Sequence, residues 1–271
     1  MFTAEHAVFA AMLISLGAAL VTLWPGWRKS TAGWLAFTAI FCSSALVLAG
    51  VGRVLTFGPD KALTFFAIEP LGFALRLYVD GLSAVFLALI ATVTIPVAFY
   101  SIDYFKEAGE SNSAAGPTGG AYYPNVLLFV AAMYGLVSTT DMMWFFFIFW
   151  QMMTWAGWAL IRYERQKPEN LRAATKYLGM MQLACLATML GAAILAGRDV
   201  ITPEGERLLA YDFDAVSHFL PERLRDQSLL TAFAFSLFLV GFGIKLGMWP
   251  FGRVWLPYAH PAAPSHVSGM M

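Results

Sequence analysis

Charge is what this chain has least of. Only 13% of its 271 residues are Asp, Glu, Lys or Arg, against roughly 25% in an ordinary soluble domain. Hydrophobic residues make up 59%, and the mean hydropathy is +0.65. So few polar groups cannot cover a water-facing protein of this size, which excludes a soluble globular enzyme and turns the surplus apolar surface toward lipid. A basic excess is lacking too: 17 basic residues balance 17 acidic ones. Nothing is left to neutralise phosphates, so an electrostatic nucleic-acid binder is excluded. Cysteine is limited to Cys42 and Cys185, both inside apolar runs, and neither a disulfide framework nor a cysteine-built metal site is expected. There is no phosphate-cradling glycine loop, nucleophile elbow or four-cysteine iron–sulfur pattern. The first residues, MFTAEHAVFAAMLISLGAAL, lack the basic segment and processing site of a signal peptide, so the first apolar run reads as a retained span.

What the chain does have is a series of long hydrophobic runs. A helix needs roughly 20 apolar residues to cross ~30 Å of hydrocarbon. Seven such windows lie at about 7–24, 32–55, 79–100, 122–139, 142–161, 172–196 and 229–258. They predict an all-α integral membrane protein of about seven transmembrane helices, with the start of an eighth at Ser265, where SHVSGMM is too short to span. The seventh window is interrupted: Gly247, Pro250, Gly252 and Pro257 in GMWPFGRVWLP remove donors or loosen the backbone. A broken helix jointed near Trp249 and Pro250 is expected, and a break at membrane depth persists where protein or water satisfies the freed backbone, typically beside a polar cavity. Three connections are long. Segment 56–78 is one, 101–121 contains the flexible turn GESNSAAGPTGG, and 198–227, acid-rich with four arginines, reads as a solvated loop. The connection 162–172 carries Arg162, Arg165, Lys167 and Arg172, and the first turn carries Arg28 and Lys29. By the positive-inside rule these odd-numbered loops belong to the cytoplasm and the N-terminus lies outside.

Polar residues inside spans narrow the function. No acid falls in the middle third of a predicted span; Asp80 and Asp141 sit at the mouths of the third and fifth helices. Lys245, in LFLVGFGIKLGMWPFG, lies midway along the seventh span, directly before the break. A charged lysine there costs ~3 kcal/mol, so it persists where water or an opposite charge meets it, and it is the type of group that can be neutral or charged as a proton relay requires. Lys176 lies five residues into the sixth span, about 7 Å deep. It reads equally as a proton-handling group or as an anchor snorkelling to the interface. Gln151, between Trp150 and Met152 near the middle of the fifth span, can hydrogen-bond a water or a lysine but cannot hold a proton as charge. An interhelical hydrogen bond worth about 1 kcal/mol accounts for it. His260 and His266 flank HPAAPSH and could feed protons toward Lys245 or merely cap a helix start. With no acid close by, they offer at most two ligands and no metal site.

Three segments carry a family resemblance. YVDGLSAVFLALIATVTIPVAFYSIDYF resembles the VDGLSxxF…YSxxY segment of the third helix of antiporter-like subunits of respiratory complex I and membrane-bound hydrogenases. FFIFWQMMTWAGWALI resembles that family's fifth helix, FxxWELMxLxSYxLI, and LFLVGFGIKLGMWPFGRVWLPYAHPAAPSHVSGMM its broken seventh helix and the approach to the eighth. The ending HPAAPSHVS is most similar to the branch of hydrogenase 4 component B and formate hydrogenlyase subunit 3. The resemblance implies a subunit that translocates protons, with sodium as the alternative ion, without a cofactor or redox centre of its own, built from two inverted five-helix repeats and coupled to a redox complex of other membrane subunits. It maps the seventh-helix lysine onto Lys245, the AxKYL lysine onto Lys176 and the fifth-helix glutamate onto Gln151. It divides the chain into a three-helix region, 1–121, and an incomplete repeat, 122–271, with helices eight to thirteen expected from another chain or a missing segment. Gln151 in place of the acid leaves a non-conducting scaffold as an alternative. The ion-conducting half of an inorganic carbon uptake system is a further one, which the HPAAPS ending disfavours.

Overall fold

The computed structural model describes residues 2–24, 26–27, 29–111, 119–164, 167–202 and 205–270. Arg28 and Arg165, used above for orientation, and most of the GESNSAAGPTGG turn lie outside the described residues. The elements are α1 (Ala4–Thr22), α2 (Lys29–Phe57), the hairpin β1 (Leu63–Ile68) and β2 (Phe73–Leu77), α3 (Gly81–Ser111) and α4 (Gly119–Ser138). A π-helical turn, Trp144–Phe149, then runs into α5 (Trp150–Ile161) and is followed by α6 (Pro168–Leu195), the strands β3 (Val200–Ile201) and β4 (Arg207–Leu208), and α7 (Phe213–Asp226). The chain closes with α8 (Ser228–Lys245), α9 (Gly252–Ala262) and α10 (Ser265–Ser268). Among the described residues six helices are long and apolar enough to cross a membrane, and Tyr122–Ser138 is a shorter apolar one. The protein is an integral membrane helix bundle, and α8 and α9 are the two halves of the interrupted seventh span.

Helix starts follow the expected capping chemistry. The Thr3 side chain accepts from the His6 N–H at α1, Asp80 Oδ1 accepts from Ser83 N at 2.7 Å at α3, and Pro168 opens α6. Between helices, small residues allow close approach, since packing rather than water exclusion drives association in lipid. Gly50 of α2 meets Ala4 and Ala7 of α1. Gly241 of α8 lies so close to α6 that an added Cβ would stand 2.8 Å from the Ala184 carbonyl oxygen. Large side chains such as Leu229, Phe233, Phe235 and Leu239 of α8 remain exposed and form lipid-facing surface.

Two segments read from the sequence as loops carry structure instead. Segment 56–78 holds the antiparallel hairpin, turned at Gly72 with φ of +74°, a conformation open to glycine at little cost. Segment 198–227 holds β3, β4 and α7, a helix with Ala215 and Val216 buried and Ser217, Leu224 and Arg225 outward. A solvated acidic loop was expected because α7 is too polar to score as a span; one buried face suffices to dock it. Hairpin, α7 and the start of the fifth span are tied together at one end of the bundle. Asp141 and Asp212 form a β-bridge, Met142 N donates to Tyr211 O at 2.9 Å and Thr140 N to Arg76 O at 3.0 Å. Asp141 Oδ1 accepts from Met143 N and Trp144 N at 2.8 and 3.2 Å, and Oδ2 from Ala74 N at 2.9 Å. Buried Arg76 donates to Asp212 and Asp214 at 3.2 Å and to Glu206 at 3.1 Å, so the acids of this loop serve an inward arginine.

Burial pushes the Asp141 carboxyl up to about 6, against the lowering effect of its three backbone donors. A carboxyl raised on folding binds a proton that the unfolded chain, titrating near 3.8, has released. Its contribution is therefore present below about pH 4 and is lost as pH rises through about 6. The expected outcome is a decline in thermal stability over that window, worth about 1–3 kcal/mol. Asp141→Asn should flatten it, as melting of the purified membrane protein at stepped pH will show.

Candidate functional site

The break in the seventh span is a closed hydrogen-bonding unit. Met248 N donates to Gly243 O at 2.8 Å and Gly247 N to Ile244 O at 3.2 Å, with Gly247 at φ +71°. This is a Schellman ending, which consumes carbonyls that a helix end leaves bare and favours glycine at the left-handed position. Gly252 resumes the helix where a Cβ would collide with the Gly247 carbonyl. Trp255 Nε1 donates to Ile244 O at 3.0 Å, so α9 is stitched back onto the end of α8. Gly247, Pro250 and Gly252 thus lie in or beside the interruption, centred as expected on Trp249 and Pro250.

Lys245 is the last residue of α8, where the negative end of the helix dipole favours a cation. Gly241 packs on Ala184 and Thr188 of α6. One turn further, Lys245 stands level with the middle of the 28-residue α6, which puts it far from either end of the bundle. Its ammonium lies over the Trp150 ring, 5.2 Å from the centroid, and within electrostatic reach of Cys185. Gln151 is drawn into the same cluster. Its Nε2 donates to Gln182 Oε1 at 2.8 Å and to Cys185 Sγ at 3.4 Å, while Gln182 Nε2 donates back to Gln151 Oε1 at 3.0 Å. Cys185 donates to the Phe146 carbonyl at 3.2 Å, inside the π-helical turn, where the wider winding leaves a carbonyl open to a side chain. Such turns recur at functional positions.

The other expected residues lie elsewhere. Lys176 is exposed on α6, its ammonium 3.6 Å from the centroid of the Tyr258 ring on α9, away from the cluster of Lys245. His260 Nδ1 is 2.8 Å from Ser268 Oγ. It lines a cavity of about 490 Å³ with Tyr104, Glu164, Lys167, Asn170 and Ser268, and Glu164 and Lys167 are ion-paired at its rim. His266 is buried among the rings of Tyr100, Tyr104 and Tyr122, with centroids at 5.6, 4.9 and 5.5 Å. Both histidines are therefore at the end of the bundle where α5 gives way to α6, not beside Lys245. Gln182 and Cys185 were missed from sequence. Their spacing of three in an otherwise apolar stretch of α6 puts both on one helix face and was the available signal. Among the described residues no group of three or more His, Cys, Asp or Glu could hold a metal.

The Gln151–Gln182 pair is neutral and reciprocal, so removing one partner strands the other amide in an apolar surrounding. Gln182→Leu should cost about 1–3 kcal/mol of thermal stability. The double variant Gln151→Leu, Gln182→Leu should recover most of it in a melting double-mutant cycle.

Residues 139–271 match the family described as NADH:quinone oxidoreductase/Mrp antiporter, TM, and residues 65–112 match NADH-Ubiquinone oxidoreductase (complex I), chain 5 N-terminus. Hydrogenase-4 component B of Escherichia coli (strain K12) is 32% identical over 228 residues, covering 82% of this chain and 28% of that protein. Na(+)/H(+) antiporter subunit A1 of Staphylococcus haemolyticus (strain JCSC1435) is 29% identical over 201 residues, covering 74% and 22%. An uncharacterized protein of Mycobacterium tuberculosis (strain ATCC 25618 / H37Rv) is 33% identical over 225 residues, covering 82% and 30%. The chain thus spans less than a third of the length of these relatives. In fold it is similar to a chain of the Mrp complex from Dietzia sp. DQ12-45-1b, with a TM-score of 0.72 at 21% identity, covering 97% of this chain and 26% of that one.

Proposed function

Because the chain belongs to the family of antiporter-like membrane subunits found in complex I, Mrp antiporters and membrane hydrogenases, we propose that it translocates protons within a multisubunit membrane redox complex, with Lys245 as the group that carries the charge. The observation that carries this reading is the position of Lys245: a lysine at the end of α8, level with the middle of α6, beside a break closed by a Schellman ending. An amine so placed has no structural bond to make with the break, and its low-dielectric surroundings let a nearby charge or water decide whether it keeps its proton. Gln151, Gln182 and Cys185 supply dipoles around it and no fixed negative charge. A redox subunit elsewhere would have to supply the driving change, and a chain or segment carrying helices eight to thirteen would close the path. The likeness to Hydrogenase-4 component B supports a hydrogenase-type complex.

One observation favours a second reading. The reciprocal amide pair of Gln151 and Gln182 fills the fifth-helix position with a self-satisfied neutral contact, as a non-conducting scaffold would.

Vesicles containing the assembled complex decide between them. Lys245→Ala should lower redox-driven proton uptake by about 100-fold or more, the scale of a lost proton-transfer group, with assembly intact; undiminished uptake would overturn the proposal. Gln151→Glu should leave assembly intact and raise the flux or shift its pH dependence. A complex that pumps no protons before or after that substitution is a scaffold.

A further inference from the structure

Two polar atoms on α5, one in the indole that Lys245 overlies and one a turn further along, are left over by the bonding described so far. Trp150 Nε1 and Thr154 Oγ1 are buried without a hydrogen-bond partner among the described residues, in side chains that are 1% and 0% exposed. Both are on α5, four residues apart, and so share one face of the helix. Threonines in this bundle otherwise bond back to their own helix: Thr94, Thr188 and Thr231 each donate to the carbonyl four residues earlier. Thr154 does not, although the Trp150 carbonyl is available in the same register. A buried hydroxyl and a buried indole N–H, each unmet, are costly in an apolar interior. Such pairs are the usual lining of an internal water, which takes two to four polar partners. The Lys245 ammonium lies over the face of the same Trp150 ring, 5.2 Å from its centroid.

The same face of α5 continues toward the histidine cavity. Gly157, one turn beyond Thr154, admits the Tyr177 hydroxyl so closely that a Cβ there would stand 2.7 Å from it. Tyr177 packs on Trp255 of α9, with centroids 5.6 Å apart. Two turns before Tyr177 on α6 is Asn170, which lines the cavity with His260. In chain order Thr154, Gly157 and Tyr177 therefore lead from the Trp150 ring under Lys245 toward the cavity lined by Asn170 and His260.

Resting on the assignment of Lys245 above, we propose that Trp150 and Thr154 hold an internal water against Lys245, and that this water is the station through which protons pass between Lys245 and the cavity of His260 by way of Tyr177. The water accepts from the Trp150 indole and exchanges protons with the amine: as Lys245 gives up a proton to it, a proton leaves the water toward Tyr177, and the reverse transfer reloads the lysine. No redox change or covalent step is involved. Thr154 and Trp150 are positioning residues, acting through the water.

Proton uptake by the assembled complex in vesicles tests this. Thr154→Val keeps the shape and removes the hydroxyl, so uptake should fall about tenfold and its pH profile should shift, and Thr154→Ser should restore both. A valine variant with wild-type flux and pH profile, alongside an inactive Lys245→Ala, would overturn the relay and leave the lysine's role standing. Equal loss in the serine and valine variants would mean a packing role and also overturn it. Wild-type flux in Lys245→Ala would remove the parent reading and the relay together. A measurement on the unaltered complex guards against misfolded variants: with nitrogen-15-labelled tryptophan, the Trp150 indole N–H, assigned by its loss in Trp150→Phe, should exchange with D₂O far faster than that of Trp255, which is bonded to Ile244 O. Equally slow exchange of the two would show a dry site and overturn the proposal.

Discussion

In hydrocarbon a backbone N–H or C=O with no partner costs several kcal/mol, and this single constraint governs how the chain can be interrupted. The seventh span breaks between Lys245 and Gly252 with part of its freed backbone bonded locally. The Schellman bonds at Gly247, the Gly252 N–H to Met248 O at 2.8 Å and the Trp255 indole to Ile244 O take up several of the freed groups. The fifth span is distorted by a π-helical turn, and the Cys185 thiol takes up one of its carbonyls. Both irregularities face the same interior space, and it is there that the polar side chains converge.

That convergence is largely neutral. Near Lys245 the structure assembles two amides, a thiol and an indole. Fixed charges are kept to the ends of the bundle: Arg76 with Asp212, Asp214 and Glu206 at one, and Glu164 with Lys167 at the other. A lone amine among dipoles is sensitive to charge that arrives from outside, whereas an amine locked to a permanent carboxylate is not. Among the described residues Gln151 bonds only neutral partners, so this cluster supplies no fixed carboxylate to Lys245. The hairpin and α7 matter to this indirectly. By bonding to Asp141 and its neighbours they fix the start of the fifth span, and with it the approach of Trp150 to Lys245.

Sequence alone determined the parts governed by local chemistry. Apolar runs as long as the bilayer needs can only be buried or lipid-facing, so the six long apolar helices and the shorter Tyr122–Ser138 were legible. Gly247, Pro250 and Gly252 have backbone properties that no context reverses, which located the break to within a residue or two. Lys245 stood out because an uncompensated charge in an apolar run is expensive wherever the run packs. Tertiary structure decided everything that depends on which faces meet. The hairpin and α7 were hidden because strands closed by long-range bridges and a helix with one small buried face leave weak local signals. Lys176 and Lys245 are both lysines in apolar runs, yet only packing places one at the centre and the other on Tyr258 at the surface. Gln182, Cys185 and Thr154 look like ordinary polar tolerances in α5 and α6. Gln182 and Cys185 join the surroundings of Lys245 because Gly191 and Gly241 let α6 and α8 approach closely, as Gly157 does for α5 and α6.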